Sequence, residues 1–188
     1  MKKIFEIEDS VLIKCLDENI VEAIIPDGVT RIGARAFNGC EKLKSIYIPD
    51  SVTSIEDRAF GYCSSLKSIH IPDSVTSIGA WAFIGCKNLQ SINIPDGVTS
   101  IERGAFYGCW SLESVNIPDG VAAIRDWTFN NCSSLKTVYI PDGVTSIGSG
   151  AFNCCSSLKT VNIPNSVTNI GAWAFDECKK LERQVCKI

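Results

Sequence analysis

Ten cysteines in 188 residues are the first feature that could do chemistry. Seven of them (Cys40, Cys63, Cys86, Cys109, Cys132, Cys155 and Cys178) recur with a strict 23-residue period. An even count is compatible with a disulfide framework. Equivalent residues in adjacent turns of a repeat also lie within the Cα range for a bridge. Their Cβ vectors, however, would run parallel rather than face one another. Single cysteines at long spacing also lack the short paired spacing of zinc ligands. The column therefore reads as buried free thiols filling space as small apolar groups. Cys15, Cys154 and Cys186 stand outside it, and Cys186 is the candidate for an exposed, reactive thiol.

His70 is the only histidine, with Asp73 close by and serine plentiful. A triad would be coincidental, because Asp73 and the serines belong to columns repeated along the whole chain. No nucleophile elbow, phosphate loop or metal-spaced cluster appears. Asp27, Asp50, Asp73, Asp96, Asp119 and Asp142, with Asn165 closing the series, could chelate calcium if stacked one strand spacing apart. Each also follows a proline, where a turn favours aspartate or asparagine. The sequence thus names no catalytic residue, no metal ligand and no cofactor, and predicts a non-enzymatic chain.

The elements that would position these columns follow from the same period. All seven prolines, from Pro26 to Pro164, keep that step, as do the phenylalanines from Phe37 to Phe175. A fixed period in this range marks a solenoid whose units touch only their neighbours. Seven turns at strand spacing make a rod of about 34 Å. In Leu43-x-x-Ile46-x-Ile48, alternation turns Ile46 and Ile48 inward and Ser45 and Tyr47 outward. Pro49-Asp50-Ser51 predicts a type I turn with proline at its second position. Val52 and Ile55 open a second short strand. Ala59, Phe60 and Cys63 predict a short helical or 3-10 turn, with glycine or asparagine before the cysteine as a left-handed cap. Because Tyr62, Cys154 and Glu177 share that position, the cap is not expected in every repeat. Residues 1–22 read as an N-terminal β-hairpin cap, 23–181 as the seven-repeat solenoid and 182–188 as a tail or weak cap.

The unit Leu-Lys-Ser-Ile-x-Ile-Pro-Asp-Ser/Gly-Val-Thr-Ser-Ile-Gly-x-x-Ala-Phe-x-x-Cys resembles the BspA-like leucine-rich repeat. The resemblance covers roughly Ala23 to Leu181, and Phe5–Leu12 looks like that family's N-terminal entry segment. It implies an α/β repeat fold, a right-handed leucine-rich solenoid with a parallel sheet on its concave face. It also implies bacterial or protist surface proteins used for adhesion or protein binding.

Two outward columns then become candidate surfaces. Tyr47, His70, Asn93, Asn116, Tyr139 and Asn162 follow one another on the concave strands. Tyrosine offers rigid contact area and asparagine adaptable hydrogen bonding, which suits a protein partner or, more remotely, a glycan; the alternative is a solvated sheet face. Arg35, Arg58, Trp81, Gly104, Trp127, Gly150 and Trp173 form the other column. Its Trp–Gly alternation fits either indoles packed over bare neighbours or an exposed aromatic edge of Trp81, Trp127 and Trp173. Net charge is −3 with dispersed cations, which gives no footprint for nucleic acid. Apolar runs are too short for membrane insertion. Met1-Lys2-Lys3 is followed by Glu6, Glu8 and Asp9 rather than an apolar leader, so the chain reads as cytoplasmic, whereas the resemblance implies surface or secretion. Gln184 falls where an apolar residue belongs. This leaves weak capping, a longer array or a homodimer through the C-terminal end as alternatives.

Overall fold

The computed structural model describes residues 3–182. Every unit folds as one coil with a first strand, a second strand and a turn segment. The first strands are Glu22–Ile24, Ser45–Tyr47, Ser68–His70, Ser91–Asn93, Ser114–Val115, Thr137–Tyr139 and Thr160–Asn162. All paired neighbours are parallel and offset by one full repeat, as in His70 opposite Asn93 and Tyr139 opposite Asn162. The second strands, from Arg31–Ile32 to Asn169–Ile170, hold the same register on another face; the ladder is interrupted between Ser100–Ile101 and Ala123–Ile124 there, and between Ser45–Tyr47 and Ser68–His70 among the first strands. Seven coils stack in this way.

At the N-terminus, Phe5–Glu8 and Val11–Cys15 form an antiparallel hairpin. Asp9 and Ser10 both have positive φ, as a tight two-residue turn requires. Val11 and Leu12 then pair in parallel with Arg31 and Ile32, so the hairpin is also the first rung of the second-strand sheet. It covers the core end that a bare first coil would leave open.

The core is one set of ladders. Phe37, Phe60, Phe83, Phe106, Phe129, Phe152 and Phe175 stack with centroids 5.3–5.4 Å apart, and Phe5 closes the spine edge-on at 5.9 Å. Repeated leucines, isoleucines and valines fill the space between the phenylalanines and the two strand faces. From Cys63 to Cys178 each column thiol lies 3.1–3.3 Å from the carbonyl of the phenylalanine 26 residues earlier. Sulfur thus fills volume and weakly satisfies a buried acceptor at once.

Three local expectations need correction. No helix or 3-10 turn occurs among the described residues; Ala59–Cys63 is a run of β-turns. Ala59, Gly61 and Cys63 donate to carbonyls three residues back, while Arg58, Phe60 and Tyr62 donate to Ala80, Ala82 and Ile84 of the next coil. Every second N–H therefore leaves the coil, and a continuous helical series cannot form. The left-handed conformation also occurs in all seven coils, including Tyr62 (φ 60°), Cys154 (φ 59°) and Glu177 (φ 55°). Inter-coil hydrogen bonding imposes it on residues that would not choose it alone. Finally, Val52 N–H donates to Pro49 C=O, so proline is the first residue of its turn rather than the second.

Candidate functional site

The outward column of the first strands is set by strand alternation. Ile69, Ile92 and Val138 point into the core, and the residues after them point to solvent. Tyr47 and Tyr139 expose 55% and 59% of their surface, and His70, Asn93, Asn116 and Asn162 are exposed as well. Ile24, in the same column, exposes 73% and sits directly opposite Tyr47 in the ladder. A cleft of about 450 Å³ opens there, lined by Glu22–Ile24 and Ser45–Tyr47. The structure thus brings all six expected residues to one face, in the expected order.

Asn116 differs from the rest because its amide is committed to the scaffold. Its Oδ1 accepts from Ile94 N–H at 3.0 Å and its Nδ2 donates to Ile94 C=O at 2.7 Å. In the regular ladder Ile25 N–H goes to the backbone carbonyl of Tyr47. The carbonyl of each such isoleucine faces the proline of the next coil, which has no N–H to give. Asn116 supplies both missing roles for Ile94, and its strand is accordingly one residue shorter than most of its neighbours.

In the second candidate column every residue described from Arg35 to Trp173 has a left-handed backbone. The Trp81 ring lies over Gly104, where an added Cβ would meet its Cε3 at 2.2 Å, and Trp127 lies over Gly150 in the same way. Across the bare glycine Trp81 and Trp127 stack at 6.1 Å, and Tyr107 meets Trp81 edge-on at 5.5 Å. Trp81 is half-buried by this packing, whereas Trp173 exposes 71%. Sequence reasoning missed Trp110, whose indole takes Lys87 Nζ at 4.9 Å. Its departure from a column otherwise made of Ser, Lys and Glu was the available signal.

The remaining candidates stay apart from any reactive arrangement. Asp27, Asp50, Asp73, Asp96, Asp119 and Asp142 are exposed at their turns, and among the described residues no three His, Cys, Asp or Glu side chains gather as a cation site. The described cysteines are all free thiols. Burial pushes Cys40 up to about 12 and Cys178 up to about 11, and raises Cys63, Cys86, Cys109, Cys132 and Cys155 well above the ordinary thiol value. Such thiols are neutral near pH 7 and poor nucleophiles. Cys186 and Gln184 lie outside the described residues. No helix among the described residues is long and apolar enough to cross a membrane.

Stacked coils, parallel registers one repeat apart and repeated Leu-x-x-Ile-x-Ile strands define a leucine-rich repeat solenoid. The family profile of the BspA type leucine rich repeat region matches residues 5–72 and 53–182, in six copies, and the chain belongs to that family. It is similar to a leucine-rich repeat protein from Bacteroides ovatus, at 39% identity and a TM-score of 0.82. That match covers 85% of this chain, which spans 42% of the Bacteroides protein. The leucine rich repeat protein of T. pallidum is 27% identical with a TM-score of 0.70, covering 82% of this chain and 88% of its own. One from Eubacterium ventriosum is 28% identical at 0.74, covering 89% and 46%. No curated protein sequence matches the chain significantly.

Proposed function

We propose that this chain is a non-enzymatic module that binds a protein through the outward face of its first strands, centred on Tyr47, His70, Asn93 and Tyr139. The observation that carries the reading is the contrast within one strand. Inward residues are buried without exception from Ser68 onward, while alternate side chains stand exposed on a backbone laddered to neighbouring coils, on both sides at Asn93 and Tyr139 and on one side at Tyr47 and His70. Two tyrosines on such a scaffold lose little conformational freedom when a partner covers them. The buried, neutral thiols support a role without turnover. Adhesion outside the cell, which the family resemblance implies, is the setting in which we place this reading. The direct test is capture from the source organism's own milieu. Proteins retained by the wild-type chain should be lost from a Tyr47→Ala/Tyr139→Ala variant whose melting curve is unchanged. Retention by that variant would remove this face from the proposal.

A second reading, self-association through the C-terminal coil, draws on Trp173, the most exposed indole of its column. Sedimentation velocity separates the two: a monomer at every concentration eliminates self-association and leaves the sheet-face reading untouched.

A further inference from the structure

The first-strand sheet has an N-terminal edge at Glu22–Ile24, which pairs on one side only, with Ser45–Tyr47. Val21 C=O and Ile25 N–H are used towards that neighbour. In a parallel ladder alternate residues turn both backbone groups the same way, so Glu22 and Ile24 turn theirs outward. Among the described residues nothing bonds to those two N–H and two C=O groups. Such an edge is a template for one more strand.

Its surroundings specify what that strand would carry. Val21 and Ile24 expose large aliphatic side chains at the edge, and Ile4, Ile13 and Leu16 do so on the N-terminal segment before it; every other large exposed hydrophobic side chain among the described residues is Tyr or Trp. Ile46, which lines the cleft from the neighbouring strand, is only half-buried where Ile69 and Ile92 are buried, on a strand that pairs with Glu22–Ile24 alone. Asp17, Glu18 and Glu22 add carboxylates at or beside the edge, none of them in a salt bridge among the described residues. Lys44 is the basic residue at the start of the adjoining strand. A second copy laid edge to edge would bring these acidic groups against themselves, which disfavours it.

We propose that Glu22–Ile24 is a strand-addition site for an extended segment of a partner protein, in which basic residues alternate with apolar ones. Added as a strand, the segment places its basic side chains on the outward face beside Glu22, with their aliphatic stems along Ile24. Its apolar side chains point the other way, over the end of the core. The inference goes beyond the sheet-face reading, because it needs backbone groups at the edge and none of Asn93, Asn116 or Tyr139.

The test uses the full chain and three fluorescent decapeptides: alternating Lys–Val, alternating Glu–Val, and Lys–Val N-methylated along both edges. The Lys–Val peptide should bind and slow hydrogen exchange at the Glu22 and Ile24 amides. The other two peptides should bind at least tenfold more weakly. Ile24→Pro should abolish binding with an unchanged melting curve, since that N–H serves no internal ladder, and Tyr139→Ala should bind as wild type. No binding of Lys–Val, equal binding of the methylated or Glu–Val peptide, or protection along Tyr47–Tyr139 instead would overturn the proposal. So would concentration-dependent protection of Glu22 and Ile24 without peptide, which would make a second copy the occupant. Because the methylated peptide leaves the protein unaltered, the result does not hinge on how the proline variant folds.

Discussion

The coil junction at Ser77–Ser100 and the next one, at Ser100–Ala123, are built from nearly the same residues, yet only the first is closed on every face. At the first, Thr99 N–H bonds to Thr76 C=O, Glu102 N–H to Ile78 C=O, and Ser100–Ile101 pairs with Ser77–Ile78. At the second, the equivalent bonds from Ala122 and Arg125 are missing, and the second-strand sheet divides there into six strands and three. The core ignores the division: Phe106 and Phe129 stack at 5.4 Å with an angle of 3°. The turn face also ignores it, with Phe106 N–H bonded to Thr128 C=O.

Side chains explain the difference. Thr53, Thr76, Thr145 and Thr168 each donate a hydroxyl to the coil before, and alanine at 122 cannot. At two other junctions an aspartate is matched to a glycine one coil on. Asp57 Oδ1 takes Ala80 N–H beside Gly79, and Asp126 Oδ1 takes Ser149 N–H beside Gly148. The open junction puts Arg103 and Arg125 in those roles, two cations lining one cavity of about 410 Å³. The contrast teaches that the core holds the coils in line whether or not the second-strand face closes: that face is open where Arg103 and Arg125 occupy those places, and closed at Ser77–Ser100, where Ala80 and Glu102 do.

The largest effect that separates core from seam should come from alkali, which acts on the whole thiol column. Folded-state values lie above the ordinary thiol value of 9.0, so the unfolded chain loses protons first and stability falls as pH rises past about 9. Denaturant midpoints should be flat between pH 6 and 8 and drop steeply above 9. Cys86→Ala should flatten that drop by up to ~1.4 kcal/mol per pH unit. Next is Phe106→Ala, which removes a ring from the spine at the seam itself. It should cost about 3–5 kcal/mol and split a single urea transition into two, one for each side of the junction. A single transition with the same loss would mean that the turn face alone keeps the halves coupled. The smallest is a repair. Ala122→Thr restores the missing hydroxyl and should stabilise by about 0.5–1.5 kcal/mol, with slower amide exchange across Ser100–Arg125. No change would assign the opening to Arg103 and Arg125 instead.

Much of this was legible before any coordinates. The constant interval that runs through Pro26 to Pro164 and Phe37 to Phe175 carries the fold, because only residues stacked in register need to recur at one step. The outward placement of Tyr47 and Tyr139 followed from strand alternation. The turn segment reads as helical in sequence because Ala59, Phe60 and Cys63 have helical spacing. What decides against a helix is the pull of the next coil on alternate N–H groups, which no local pattern displays. Asn116 looked like one more outward amide, and its two bonds to Ile94 depend on the proline of its own coil. The open edge at Glu22–Ile24 depends on where the hairpin strands go, a matter of topology that residues 1–22 do not encode locally.

Everything rests on columns that stand in register, so distances along one column are the direct measurement. Spin labels introduced as non-natural amino acids at positions 47 and 93, and at 47 and 139, span two and four coils and leave the native thiols alone. At roughly 4.8 Å per coil the backbone separations should be about 10 Å and 19 Å, growing in proportion to coil number. Separations that fail to scale with the number of coils would contradict the solenoid and, with it, both proposed surfaces.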